Sequence, residues 1–297
     1  MMSQRTLTQL SPQGTVKPRT KRARLTISPG AVVVYLLMSL LALAMLFPYY
    51  YLVVNAFKGT RGFAADPYSL IPKTFSLESI LYAWDTGQIR IYLRNSLLYA
   101  SVVVVVQTFI GSLAAYAFSR IQFPGRDVLF LGVLATMMLP YSVLLIPTYL
   151  IVWSLGLANT IPGVVIPGFA SAYGIFMLRQ FFMNIPFELE DAARIDGCNR
   201  LRIYFQIILP LAQPALVTIA IFTFIGEWSS FIWPLVVLSR DNLYPITVGI
   251  ALFRGEHSLY YDRVFAASLI ATLPLLFIFF LGQRYIIGGI SLSGLKG

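Results

Sequence analysis

The sequence is poor in charge. Only 11% of its 297 residues are Asp, Glu, Lys or Arg and 58% are hydrophobic, whereas a soluble domain carries about 25% charged residues. So few charges cannot cover a water-exposed surface, and a bilayer is the solvent that suits such a chain. Intrinsic disorder is excluded, because it needs low hydrophobicity. One cysteine, Cys198, excludes a disulfide scaffold. With a single histidine, His257, an ordinary zinc site also lacks ligands. A membrane enzyme needs a nucleophile–base pair or a ligand cluster, and one Cys and one His far apart supply neither. Acids are the scarcer charge, 12 against 22 bases, for a net +10. In so apolar a chain the first question is where those positive charges sit.

Charge is absent in blocks. None occurs from Leu25 to Phe57, from Asn95 to Ser119, or from Val128 to Leu178, and further charge-free runs cover Ile203–Gly226 and Val264–Gln283. A helix crosses the hydrocarbon layer with about 20 apolar residues. Val128–Leu178 is long enough for two crossings, divided by Gly156, Asn159, Pro162 and Gly163. The pattern predicts six spans at 31–54, 94–118, 128–152, 160–182, 211–238 and 264–287. The expected fold class is therefore all-α, a polytopic membrane protein with six transmembrane helices. Its parts are a cytoplasmic tail at 1–30, a six-helix membrane domain at 31–290 and a cytoplasmic tail at 291–297. Pro48, Pro140, Pro147, Pro167, Pro214, Pro234 and Pro274 fall in these spans, so kinked helices packed on one another are expected. Ala42-Leu43-Ala44 looks like a signal cleavage site, but the apolar run continues to Val54, which reads as a retained helix.

Fourteen bases fall on the side of the two termini and eight on the other. Five of the fourteen are Lys17, Arg19, Lys21, Arg22 and Arg24. Both termini are thus expected in the cytoplasm. The excess charge becomes a topology signal with anionic lipid headgroups as its partner, and no nucleic acid is expected. The outer segments, 55–93 and 239–263, are expected to be irregular, except for a short helix around Ser76–Trp84 capped by Ser76. Asn95 and Gln107 suit helix–helix hydrogen bonds, Gly111, Ala114 and Ala115 suit close packing, Asn159 suits a turn, and His257 and Cys198 carry no chemical signal.

One cytoplasmic loop breaks the apolar pattern: NIPFELEDAARIDGCNRLRIYFQIILP, residues 184–210. Pro186 suits the first position of a helix, and Glu188, Glu190 and Asp191 then sit near its positive end. Gly197 supplies a tight turn or a close backbone approach, and a second helix follows from about Asn199 to Pro210. Physics alone leaves two readings, an interfacial helix lying on headgroups and a knob for a protein groove. Residues 184–202 hold four acids and three bases, which is not the Lys-rich face that an anionic membrane prefers.

Asp191-Ala192-Ala193, three residues, Gly197, nine residues and Ile207-x-Leu209-Pro210 resemble the "EAA" loop of binding-protein-dependent ABC importer permeases, with Asp191 at the position of the usual Glu. The segments GIFMLRQFFMNIPFELEDAARIDG, GEWSSFIWPLVVL, YPITVGIALF and QRYIIGGISLSGLKG are similar to the carbohydrate-uptake branch, and to its smaller six-helix permease. The resemblance implies the type I ABC importer permease fold and a place in a bacterial or archaeal inner membrane. It implies a second permease subunit, two ATPase subunits, an external solute-binding protein and a sugar or related solute as partners, with no cofactor. It also implies that Glu190, Asp191, Ala192, Ala193 and Gly197 carry the contact with the ATPase. No G-x-x-x-x-G-K-[ST] pattern occurs, so ATP hydrolysis is expected on another chain.

Glu227 is the one acid deep inside a predicted span, a position that marks a cavity or a partner. On a continuous helix Glu227, Ser230, Phe231 and Pro234 share one face, flanked by Trp228 and Trp233. A carboxylate, a hydroxyl and aromatics suit a sugar path, so Glu227, Ser230, Phe231 and Trp228 are candidate path residues. The alternatives are that the aromatics only pack and that Glu227 pairs with the partner permease. An ion-coupled secondary transporter is the competing class; it calls for more buried acids and an inverted repeat.

Overall fold

The computed structural model describes residues 29–256 and 260–293. The basic cluster before residue 29, His257 and the last four residues of the C-terminal tail lie outside the described residues. All regular structure among the described residues is helical.

The chain divides into two units, Met1–Pro48 and Tyr49–Gly297. The described part of the first is the opening of α1 (Pro29–Ala56), whose large apolar side chains from Val32 to Phe47 are exposed. A helix apolar on every side belongs in lipid or against another chain. The second unit continues α1 and adds α2 (Gly59–Ala65), α3 (Glu78–Asp85), α4 (Ile89–Arg120), α5 (Arg126–Thr136) and α6 (Tyr141–Ser154). Next come α7 (Ile161–Val165), which runs on as a 3-10 turn to Phe169, then α8 (Ala172–Met183), α9 (Glu188–Ile195) and α10 (Arg200–Ile203). A π turn at Tyr204–Ile208 leads through α11 (Leu209–Leu211) into α12 (Gln213–Trp228), followed by α13 (Ile232–Val237), α14 (Ile246–Glu256) and α15 (Tyr261–Ser293).

α4 is the hub. It packs on α8, α12 and α14, while α12 packs on α15 and α15 on α3. Small residues allow this. Ala100 and Ala115 are fully buried on α4, and a β-carbon on Gly249 of α14 would run into the Tyr92 ring of α4.

Among the described residues, four single helical stretches are long and apolar enough to span a membrane: Gly30–Ala56, Ile89–Arg120, Ile161–Met183 and Tyr261–Tyr285. Two bent pairs bring the number to as many as six, if each pair is one span. The expected span 128–152 is one of them, bent by 102° between Thr136 and Tyr141. Pro140 explains the break, because it removes a donor and biases Leu139 away from helix. The expected span 211–238 is not one helix. Arg200–Leu211 meets α12 at 77°, and α12 itself ends at Trp228.

The two segments expected on the outer side are more regular than anticipated. Residues 55–93 hold α2, α3 and the start of α4, and 239–263 hold α14. Buried polar groups organise them. The Lys58 ammonium donates to the carbonyls of Asp66, Pro67 and Ser69 at 3.1, 3.2 and 2.8 Å. Burial pushes that ammonium below the ordinary lysine range, and Asp66 opposes the shift. Buried Asp262 accepts from Thr60 Oγ1 at 3.0 Å and Ser79 Oγ at 2.5 Å. Asn95 does not bond another membrane helix. It donates to the carbonyls of Asn242 and Tyr244 at 2.8 and 3.0 Å, and thereby holds the turn ahead of α14. Gln107 does join helices, donating from α4 to Thr223 Oγ1 of α12 at 2.8 Å. Asn159 sits in a turn at φ +59°, where its side chain accepts from the amides of Ser239 and Arg240.

Candidate functional site

The loop between α8 and α12 is built as a helix, a left-handed stop and a second helix. α9 begins at Glu188, two residues after Pro186, so the proline lies just outside the helix. Glu188, Glu190 and Asp191 fill the first turn and Arg194 the last, the arrangement that the helix dipole favours. Gly197 has φ +80°. Its amide bonds the Arg194 carbonyl at 3.0 Å and the Cys198 amide bonds the Ala193 carbonyl at 2.9 Å, which is the Schellman stop. A β-carbon on Gly197 would meet no atom, so the tight turn, and not close approach within the chain, is the reason for glycine. Asn199 then caps α10, accepting from the Arg202 amide at 2.8 Å.

α9 has two unlike faces. Asp191, Ala192, Gly197 and Ile195 are exposed, Ile195 to 86% of its surface. Ala193 and Glu190 are buried. The five residues grouped by the sequence thus separate. Glu190 is turned into the chain, because a carboxylate there finds two guanidinium groups. Its Oε1 lies 3.2 Å from Arg120 Nε and its Oε2 lies 3.6 Å from Arg194 Nη2. Burial raises the Glu190 carboxyl above its ordinary range, and the attraction of Arg120 and Arg194 opposes the shift. Asp191 instead pairs on the surface with Arg194 at 3.0 Å.

Arg120, the last residue of α4, is the group that sequence reading missed. It counted there only as a topology charge. Its side chain is fully withdrawn from solvent and donates to the carbonyls of Phe182 and Ile185, where α8 ends. Its guanidinium lies 4.1 Å from the centre of the Phe187 ring. Arg179 of α8 returns the favour, donating to the Phe118 carbonyl in the last turn of α4 at 3.2 Å. Each helix therefore supplies the cation for the other's C-terminal carbonyls. The one signal in the sequence was an arginine closing an otherwise charge-free span. The exposed apolar residues Ile195 and Leu201 were missed as well, since a single hydrophobic residue in a charged loop has no meaning until its exposure is known.

The second candidate region is a cleft of about 170 Å³ where α4, α8 and α12 converge. Gln107, Ser171, Tyr173, Thr223 and Glu227 are among its lining residues. The Glu227 carbonyl accepts from the Ser230 amide, but its carboxylate has no hydrogen bond or ion pair with the described residues, and Oε1 would lie 3.2 Å from a β-carbon on Gly168. The expected helical face is broken. α12 ends at Trp228 and α13 starts at Ile232, so Ser230, Phe231 and Pro234 do not continue the face of Glu227. Neither Ser230 nor Phe231 lines the cleft. Trp228 is 2% exposed and donates from its indole to the Ala271 carbonyl at 3.2 Å, a packing role between α12 and α15. Trp233 is likewise buried and donates to the Val164 carbonyl at 3.1 Å.

The chain has relatives among known proteins. Residues 107–291 match the family described as "Binding-protein-dependent transport system inner membrane component". The chain is 33% identical over 260 residues to the "Arabinooligosaccharides transport system permease protein AraQ" of Halalkalibacterium halodurans, covering 86% of this chain and 93% of that protein. It is 34% identical over 263 residues to the "Trehalose/maltose transport system permease protein MalG" of Thermococcus litoralis, covering 87% and 94%. The crystal structure of a bacterial ABC transporter involved in import of the acidic polysaccharide alginate contains a chain of the same fold, with TM-score 0.77 and 25% identity over 86% of this chain and 96% of that one. The apolar helices and the inner-membrane family make this a multi-pass membrane protein. The chain belongs to the binding-protein-dependent transport system inner membrane components, as the permease subunit of an ABC importer.

Proposed function

We propose that this chain forms half of a heterodimeric sugar pathway, powered by two ATPase subunits on the cytoplasmic side and fed by an external solute-binding protein. One observation carries the reading. α9 ends on a Schellman stop, with Asp191, Ala192, Ile195 and Gly197 exposed and Glu190 and Ala193 turned inward. This is a small, rigid knob that fits a groove in an ATPase subunit. Its mixed charge and single strongly exposed isoleucine favour a protein groove over a bed of headgroups. Both termini then lie in the cytoplasm, in keeping with the basic residues before α1. Closure of the ATPase dimer on ATP pushes the knob, and the membrane helices rock between inward and outward access.

The solute passes the cleft of Gln107, Thr223, Ser171, Tyr173 and Glu227. Amide, hydroxyl and carboxylate groups there match the hydroxyls of a carbohydrate. Among the described residues no basic residue lines the cleft to receive an anion, so a neutral oligosaccharide fits better than a uronate or a phosphate ester. The names of the relatives above, which concern arabinooligosaccharides, trehalose and maltose, support that class. The test is uptake into proteoliposomes holding both permeases and the ATPase, with the binding protein and ATP supplied. Labelled arabinooligosaccharides, trehalose and maltose are the probes, beside glycerol phosphate. ATP-dependent uptake of a neutral sugar is expected. Uptake without the ATPase that follows a proton gradient overturns the importer reading, and preference for glycerol phosphate overturns the neutral-sugar reading.

A further inference from the structure

We infer that Arg120 is the positioning residue that makes α9 move as one body with the cytoplasmic ends of α4 and α8. The inference rests on the proposed docking of α9 to an ATPase, and goes beyond it by naming the part through which the push reaches the membrane helices.

Three elements meet at one guanidinium. Arg120 belongs to α4, donates to the carbonyls of Phe182 and Ile185 at the end of α8, and faces the Glu190 carboxylate of α9 at 3.2 Å. Both charged side chains are fully buried. A surface ion pair is held weakly and reforms with water at little cost. A buried one resists separation, because parting the charges without solvent leaves each uncompensated. The planar guanidinium also serves two directions at once, which a lysine ammonium does only loosely. Phe187 covers it at 4.1 Å and keeps water out.

Beside this lock, α9 contributes one residue, Ala193, to the apolar cluster with Tyr116 of α4 and Leu178 and Phe182 of α8, and the chain links on either side are local. Asn184–Phe187 carries no helix long enough to transmit a push, and Gly197 provides a turn on the far side. The connection from α9 onward passes a π turn at Tyr204–Ile208, whose Tyr204 hydroxyl pairs with Ser112 of α4 at 2.7 Å. That contact anchors α4 further along, but it touches neither α8 nor α9. The polar contact that joins α9 directly to both membrane helices is Arg120 with Glu190.

The test uses the complete importer, with both permeases and its ATPase, in a background where Cys198 is replaced by serine. Spin labels are placed at Gln122→Cys, just past α4, and Asp196→Cys, just past α9, both exposed positions. Their distance is measured without nucleotide and in the ATP–vanadate state. One unchanged distance is expected with Arg120 present. With Arg120→Gln the distance is expected to shift between the two states, while ATPase subunits still co-purify and ATP hydrolysis persists without uptake. Arg120→Lys is expected to restore part of the uptake. A distance that already changes with Arg120 present, or a single distance and full uptake in Arg120→Gln, overturns the inference. If Arg120→Gln fails to assemble, Glu190→Gln carries the same readout, and full uptake with one distance there also overturns it. Failure of the docking reading itself looks different: reversing the exposed face with Ile195→Asp would leave ATPase co-purification unchanged.

Discussion

The Thr247 hydroxyl donates to the Ser230 carbonyl at 2.5 Å. That carbonyl sits four residues before Pro234, which has no amide hydrogen to offer it. The break between α12 and α13 is thus satisfied from α14, not from its own helix. Thr247→Val keeps the shape and removes the donor, leaving a part-buried carbonyl without a partner. A loss of about 1–3 kcal/mol is expected, read as a lower midpoint of thermal unfolding in detergent. An unchanged midpoint would mean that water reaches Ser230.

Gly197 offers a cleaner backbone test. At φ +80° and with no atom near a β-carbon, alanine meets only the left-handed penalty, about 1–2 kcal/mol. Gly197→Asn is expected to cost less than Gly197→Ala, since asparagine tolerates that region better. Thermal unfolding of the two variants checks the order, and the reverse order refutes the assignment of glycine to the turn alone.

Ile195 separates docking from folding. With 86% of its surface exposed, Ile195→Asp is expected to change the stability of the chain by less than about 0.5 kcal/mol. Co-purification of the ATPase is expected to fall sharply. Intact co-purification would place the docking face elsewhere.

At Glu227 the charge itself is under test. Glu227→Gln keeps an acceptor and removes the negative charge, exchanging a charge-assisted bond for a neutral one, worth about 1 kcal/mol. Maximal uptake of the neutral sugar is expected to drop roughly fivefold on that scale, while discrimination against glycerol phosphate weakens. Unchanged rates for both solutes would remove Glu227 from the path.

Much of this molecule is readable from local pattern, and the exceptions have physical causes. Spans at Ile89–Arg120 and Tyr261–Tyr285 follow from uninterrupted apolar runs, because a bilayer enforces helix over any such run. The stop at Gly197 and the cap at Asn199 are local devices and stand where their chemistry places them. The region after Glu227 was misread as one helix. Pro234 was visible, but proline is tolerated inside membrane helices whenever a neighbour supplies the missing bond. Here Thr247 supplies it across a complete break.

The sequence by itself determined that the chain lives in a bilayer, roughly where it crosses, and that its exceptional loop carries an EAA-like spacing. Those follow from composition and short-range geometry, which any neighbouring residues would leave intact. Only the tertiary structure decided which side of α9 faces out, since Glu190 is drawn inward by Arg120 of α4, with Arg194 of its own helix as the second, half-exposed partner. The same holds for Trp228, whose indole is committed to Ala271, and for the cleft, which exists because three separate helices bring Gln107, Ser171, Thr223 and Glu227 together. Buried charges and cavities are properties of what packs against what, and local pattern carries no record of it.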